Sequence, residues 1–309
     1  MTKLEKKNLA ASVRDRLLAL ARERGEDFQL LLTRYGLERL VYRLSQSPHR
    51  DRFILKGAML FVIWSGVPHR TTRDIDFLGS GDNSQDGIAA VFRDLCAIRV
   101  QSDGVTFDVD SVRVEPIRDV TEYGGMRVTL TGELANARIP IQVDIGFGDV
   151  VTPGAIETDY PALLDQPAPK ILAYPRETVI AEKYQAVVAL GMANTRMKDF
   201  YDLWVIARCF EFDGKVLKQA LKKTFARRRT GLPIGTPPGL STDFSQDRQK
   251  NTQWNAFMAK TLVEVDPPSL ADVCACLNAF LGPPAHAAVE NRVFAEKWPP
   301  GGPWKRLVR

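Results

Sequence analysis

The sequence predicts an α+β fold: a small mixed β-sheet core with flanking helices, followed by a mostly helical C-terminal half. Three observations carry that reading. Runs rich in β-branched and aromatic residues crowd between Phe53 and Phe147. Helical periodicity occupies residues 6–44 and returns after Pro175. Between them the order is strand, glycine turn, helix, strand, helix and then three further β-rich runs.

The elements follow from local patterns. Leu9, Val13, Leu17, Leu18 and Ala21 recur at helical spacing over 6–24, and Gly25 supplies the stop. A second helix is expected from Asp27 to about Leu44. Phe53-Ile54-Leu55 is a short β run broken at Lys56-Gly57-Ala58, and Met59 to Trp64 reads as a buried helix ending at Gly66. In Asp74-Ile75-Asp76-Phe77 the alternation describes a strand with both carboxylates on one face. A helix over 86–98 precedes β runs at 105–117, 126–134 and 139–147. Helices are then expected over 176–190, 197–210, 215–228, 254–263 and 270–281. The Pro/Gly-rich stretch 231–239 reads as a loop, and the tail from Trp298 as irregular.

A chain of 309 residues accommodates one large or two modest domains. The working division is residues 1–165, N-terminal helices plus the α/β core, and residues 166–309, mainly helical. A hydrophobic content of 45% with 26% charged residues is ordinary for a soluble globular protein. The chain has no run of eighteen apolar residues and no apolar leader, so the expected location is the cytoplasm, with no membrane partner. Cys274-Ala275-Cys276 lacks the spacing and the histidines of a zinc site, which leaves reduced thiols as the expectation. A net charge of +5 permits a polyanionic partner without requiring one.

Asp74 and Asp76 carry the chemistry. Two carboxylates on one strand face repel unless a proton or a cation relieves them. Mg²⁺ (or Mn²⁺) takes hard oxygen ligands and completes its shell with water and substrate phosphates, and a metal pair can clamp a displacement at phosphorus. A lone Asp-x-Asp is equally a solvated strand face, so the surroundings matter. Gly57 and Ala58 lie between a strand and a helix, where backbone N–H groups suit a triphosphate. Arg70, Thr71, Thr72 and Arg73 add phosphate-binding donors just before the carboxylates. Asp144, within Val143-Asp144-Ile145, has the pattern of a third metal ligand on a neighbouring strand. Asp108 and Asp110 form another such pair, but on an edge that reads as solvent-facing.

This order of a glycine turn, a helix, an Asp-x-Asp strand and a third carboxylate resembles the nucleotidyltransferase superfamily. More narrowly, four blocks resemble the AbiEii/AbiGii toxin family: Leu55–Leu60, Arg70–Phe77, Glu177–Lys183 and Arg196–Leu203. The resemblance covers roughly residues 53–205. It implies a metal-dependent nucleotidyltransferase toxin of a type IV toxin–antitoxin system, set in phage defence. Its activity would move nucleotides from an NTP to RNA, the 3′ end of tRNA above all, and a cognate antitoxin would be encoded nearby. By position it implies catalytic roles for Asp74, Asp76, Lys183 and Asp199, with Lys183 facing the triphosphate and the C-terminal half completing the cleft. Where the family often has Gly-Gly or Gly-Ser, this chain has Gly57-Ala58. That keeps the backbone donor and loses a hydroxyl.

Read without the resemblance, Lys183 is either a phosphate ligand or a snorkelling surface lysine, and Asp199 with Asp202 could form a plain ion-pair face. Residues 215–229 hold seven basic residues and no acidic one, which makes a basic helix and a candidate tRNA surface. Two other functions stay open: transfer to a protein or small-molecule hydroxyl, and a catalytically silent nucleotide- or RNA-binding protein.

Overall fold

The computed structural model describes residues 3–67, 70, 72–100, 103–117, 124–261 and 268–306, with side chains from residue 8 onward. Thr71, residues 262–263 of the helix expected at 254–263, and residues 307–309 of the tail lie outside the described residues. The chain divides into two compact units. The first comprises Met1–Gly148 with Ile156–Ala173, and the second Asp149–Ala155 with Tyr174–Arg309. Among the described residues no helix is long and apolar enough to cross a membrane.

In the first unit, helix α1 (Lys3–Arg24) buries Ala10, Val13, Leu17 and Ala21, one face at three-to-four spacing. Helix α2 (Phe28–Ser45) starts where the Asp27 carboxylate accepts the Leu30 N–H at 2.9 Å. Strand β1 (Phe53–Lys56) leads through a 3₁₀ turn at Gly57–Met59 into the short helix α3 (Leu60–Ser65), which ends at left-handed Gly66. Then come β2 (Asp74–Gly79), α4 (Gln85–Ala97), β3 (Val105–Ile117), β4 (Gly125–Leu134), β5 (Ala137–Phe147), β6 (Ile156–Asp159) and β7 (Lys170–Ala173). The sheet order is β3-β4-β5-β2-β1-β7-β6. Strands β2/β5 and β1/β7 pair in parallel, and the other neighbours are antiparallel.

The sheet has an apolar face and a polar one. Ile75, Phe77, Val128, Ile141, Val143 and Ile145 point into the core. Helix α2 approaches that side so closely that a Cβ on Gly36 would lie 2.8 Å from Ile139 Cγ2. Phe92 of α4 meets Phe53 of β1 there as well, ring centroids 6.2 Å apart. The alternate residues stand on the other side, mostly half-buried or exposed, with Leu78 buried. Strands β6 and β7 went unread in the sequence because each is four residues long. Their place comes from the non-local pairing of Ile54 with Leu172.

The second unit contains α5 (Arg176–Leu190), α6 (Met197–Cys209), β8 (Phe212–Asp213), α7 (Gly214–Arg227), α8 (Thr242–Gln246), α9 (Arg248–Met258), α10 (Leu270–Val289), β9 (Glu296–Trp298) and β10 (Lys305–Arg306). Three expectations are corrected. The helix expected over 254–263 is α9, which starts at Arg248 and ends at Met258. Helix α10 runs past Leu281 and through Pro283 and Pro284, because Leu281, Pro284, Ala285, Ala287 and Ala288 continue its buried stripe. The tail is docked through residue 306 rather than irregular. Strands β8, β9 and β10 form a small sheet, Trp298 donates to the Ala207 carbonyl at 2.7 Å, and Trp304 stacks on Phe280. Aromatic burial without periodicity is invisible to a pattern search.

One buried pair in the first unit makes stability depend on pH. Arg39 Nη2 lies 2.6 Å from Glu38 Oε1, with both side chains out of solvent. Glu38 Oε2 accepts the Leu163 N–H at 2.8 Å, and Arg39 donates to the Pro167 carbonyl, so the pair ties the β6–β7 connection to α2. Burial pushes the Glu38 carboxyl from 4.5 up to about 7, against the opposing pull of Arg39. The folded state thus holds this proton more tightly than the unfolded chain. Its stabilising contribution is complete below the ordinary carboxylate range and disappears as pH rises through the folded value. In thermal melts, Glu38→Gln should lose less Tm than the native chain between pH 5 and pH 8. Equal losses would refute the assignment.

Candidate active site

The polar face of the first unit's sheet gathers the predicted carboxylates. Asp74 and Asp76 are alternate residues of β2, and Asp144 on the adjacent parallel strand β5 is in direct register with Asp76. Registered residues project to the same side, so all three share one face. The register continues outward in both directions. Asp76 faces Lys56 of β1, Asp144 faces Arg127 of β4, and Arg127 faces Glu115 of β3. A single line of charge, Glu115–Arg127–Asp144–Asp76–Lys56, therefore crosses five strands.

Local geometry along this line is tight. Gly57 has φ of 74°, and a Cβ there would lie 2.0 Å from Asp76 Oδ2. Any other residue would collide with the carboxylate as well as strain the backbone. The glycine expected to expose donors to a phosphate thus also makes room for Asp76. Ala58 is buried beside it. Gly146 clears space for the lysine: a Cβ there would be 3.1 Å from Lys56 Nζ.

The donors before β2 are placed as follows. Thr72 gives its hydroxyl to Asp74 Oδ1 at 2.7 Å, which orients the first carboxylate. Arg70 is half-buried and Arg73 exposed. Asp144 accepts from Arg127 in a two-pronged contact, Nε to Oδ1 at 2.8 Å and Nη2 to Oδ2 at 2.7 Å, and Gln142 adds a longer contact at 3.4 Å. Among the described residues no three His, Cys, Asp or Glu side chains are gathered to hold a metal ion. Asp74 and Asp76 nevertheless fit a Mg²⁺ site of the kind that uses one or two carboxylates and takes its other oxygens from water and phosphate. Asp108 and Asp110 are exposed at a bulge of β3, with the Asp110 N–H on Asp108 Oδ1.

Lys56 and Arg127, which register places beside the carboxylates, were not singled out from the sequence. Parity within each strand would have placed Arg127 opposite the Val128 and Leu130 face. Only the register with β5 sets it against Asp144.

In the second unit, Lys183 of α5 meets α6. Its Nζ lies 2.6 Å from Asp199 Oδ1 and 2.9 Å from Asp202 Oδ2, and Arg196 Nε lies 2.7 Å from Asp199 Oδ2. Both aspartates are fully buried, and Lys183 is 13% exposed. Burial pushes the Asp199 carboxyl up, but Lys183 and Arg196 outweigh it and hold it below its ordinary value. This is neither a snorkelling lysine nor an exposed ion-pair face. Beside it Arg228 binds Asp149, at 2.9 and 3.0 Å, as well as Glu182 and Gln185.

The basic helix is present, but part of its charge is committed. Leu217, Leu221 and Phe225 bury its apolar stripe. Arg228 turns to the acids just named, Lys218 donates to the Arg292 carbonyl, and Lys222 donates to Asn291. Lys215, Lys222, Lys223, Arg227 and Arg229 remain exposed. Buried Cys274 has its thiol pushed up by burial to about 12, which makes it an unreactive core residue.

A family model described as "Nucleotidyl transferase AbiEii toxin, Type IV TA system" matches residues 39–279. No curated protein matches. Two solved Helicobacter pylori structures are similar at 16% identity and a TM-score of 0.47, one described as a candidate nucleotidyltransferase and the other as JHP933. Each match covers 86% of this chain, and 96% and 94% of those chains respectively. A likeness at that score carries no weight for function.

Removing Lys183 would take away the cation that the two buried carboxylates share. Lys183→Met should therefore destabilise the second unit by about 3–5 kcal/mol, read as a large fall in Tm. An unchanged Tm would show that the lysine is not held by this network in solution. Loss of activity at position 183 accordingly needs a melting curve beside it.

Proposed function

The chain belongs to the AbiEii nucleotidyl transferase toxin family of type IV toxin–antitoxin systems, and from that premise we propose a metal-dependent transfer of nucleotides from an NTP to RNA, most simply the 3′ end of tRNA. The observation that carries this reading is that Asp74 and Asp76 share the polar face of the sheet, with Asp76 in register with Asp144. Asp74 and Asp76 would hold Mg²⁺, whose chemistry is to neutralise the phosphates and lower the pKa of an attacking hydroxyl. The 3′ oxygen forms a bond to the α-phosphorus, the bond from that phosphorus to the bridging oxygen breaks, and pyrophosphate leaves. The hydroxyl proton passes to a β2 carboxylate. Thr72 orients Asp74, and Gly57 leaves room for Asp76. Arg70 and Arg73, with the backbone at Gly57 and Ala58, would bind phosphate. Lys183 and Asp199 are proposed as catalytic through the family motifs they occupy.

The exposed basic side of α7 supports an RNA acceptor, since phosphate contacts from Lys and Arg supply sequence-independent affinity. A cognate antitoxin is the implied protein partner. A protein or small-molecule acceptor is the second reading.

Incubation with each labelled NTP, Mg²⁺ and total tRNA should put label into tRNA. EDTA should stop incorporation, and added Mg²⁺ or Mn²⁺ should restore it. Asp74→Ala should reduce transfer by about 10²-fold or more with little change in Tm. Label in protein instead of tRNA would move the acceptor, and full activity in Asp74→Ala would overturn the site. Lys215→Gln with Lys223→Gln should weaken tRNA binding uniformly across sequences and make its salt dependence shallower, by roughly one unit of slope per lost phosphate contact. An unchanged slope would remove α7 from the interface.

A further inference from the structure

The geometry points to Arg127 as the residue that binds the triphosphate, with Asp144 serving as its anchor rather than as a metal ligand. This inference rests on the nucleotidyl-transfer reading above.

Arg127 and Asp144 are direct partners on antiparallel strands, so their side chains leave the sheet side by side. The guanidinium uses Nε and Nη2 on the two oxygens of Asp144, which fixes its plane. The Arg127 side chain is still 43% exposed, against 18% for Asp144. The carboxylate is thus the covered partner and the cation the outward one. A guanidinium held along one edge by a carboxylate is pre-oriented for a phosphate and loses less conformational freedom on binding it.

The same pair argues against Asp144 as a cation ligand. Its Oδ1 already takes Arg127 Nε and the longer Gln142 contact, and its Oδ2 takes Arg127 Nη2. Entry of a dication at Asp144 would break a charge-assisted two-pronged bond and leave the guanidinium beside a like charge. Asp74 and Asp76 sit on the next strand, where Asp74 accepts from Thr72 and Asp76 lies against Gly57 and in register with Lys56. Along the line of charge, Arg127 therefore stands one strand beyond Asp144 from Asp76, on the side away from Lys56. A triphosphate whose metal rests on β2 would extend across β5 to reach it.

The test uses the full chain without acceptor. Binding of ATP, GTP, CTP and UTP with Mg²⁺ is measured by calorimetry, and binding of Mn²⁺ alone by electron paramagnetic resonance. Arg127→Met should weaken NTP binding roughly tenfold to a hundredfold, with Mn²⁺ affinity no lower than that of the native chain. Arg127→Lys should recover only part of that loss, because an ammonium cannot reproduce the fork. Asp144→Asn should weaken NTP binding in the same direction and leave Mn²⁺ affinity unchanged, whereas Asp76→Asn should lower it. Unchanged NTP binding in Arg127→Met would overturn the proposal. So would a fall in Mn²⁺ affinity in Asp144→Asn as large as that in Asp76→Asn, since Asp144 would then be a metal ligand. If the native chain binds no NTP with Mg²⁺ and transfers nothing to tRNA, the nucleotidyl-transfer reading itself fails, and this inference with it.

Discussion

Strand register is the constraint on which the first unit's chemistry depends. Period-two alternation can put charged residues on one side of a strand, but it cannot bring them together. That requires β1, β2, β5, β4 and β3 to lie side by side with Lys56, Asp76, Asp144, Arg127 and Glu115 at the same level. A slip of one residue between β2 and β5 would send Asp144 into the core and Val143 onto the polar face. Burial of Ile75, Phe77, Val143 and Ile145 on the opposite face opposes that slip, since each contributes on the order of 1.5–3 kcal/mol as a buried aliphatic or aromatic side chain. The hydrophobic face thus sets the geometry of the charged one.

Charge compensation recurs in both units. On the open face of the sheet, Asp144 has Arg127, Asp74 has the hydroxyl of Thr72, and Asp76 is registered with Lys56. In the second unit, Asp199 and Asp202 are wholly buried and share Lys183, with Arg196 on the far oxygen of Asp199. Burying an isolated carboxylate would push its proton affinity upward, and the lysine and arginine reverse that for Asp199. The two clusters differ in solvent access. The Lys183 side chain is 13% exposed, while that of Arg127 is 43% exposed.

Much of this was legible in the residue order. The amphipathic helices α1, α2, α5, α6 and α7 announced themselves through apolar spacing, and Gly25, Asp27, Pro175 and Gly191 marked ends of α1, α2 and α5. The Asp-x-Asp strand and the family blocks pointed to nucleotidyl transfer, and the family match over residues 39–279 agrees. Strands β6 to β10 escaped because two to four residues carry no usable period. The docking of Trp298 and Trp304 escaped because it rests on aromatic contacts far apart in the chain. The basic segment was read as seven like charges, yet Arg228 turns toward Asp149 and Glu182, which are distant in sequence.

The Asp74–Asp76 pair shows where the boundary lies. By itself the sequence determined the residue types, their alternation on one strand and the reaction class they belong to, because parity and motif order are local properties of a chain. Only the tertiary structure decided what each carboxylate faces: Gly57 against Asp76, Thr72 against Asp74, and Arg127 against Asp144. The Gly57 and Arg127 contacts, across 19 and 17 positions, depend on strand pairing, which is settled by packing the whole apolar face at once and leaves no short-range signal to read.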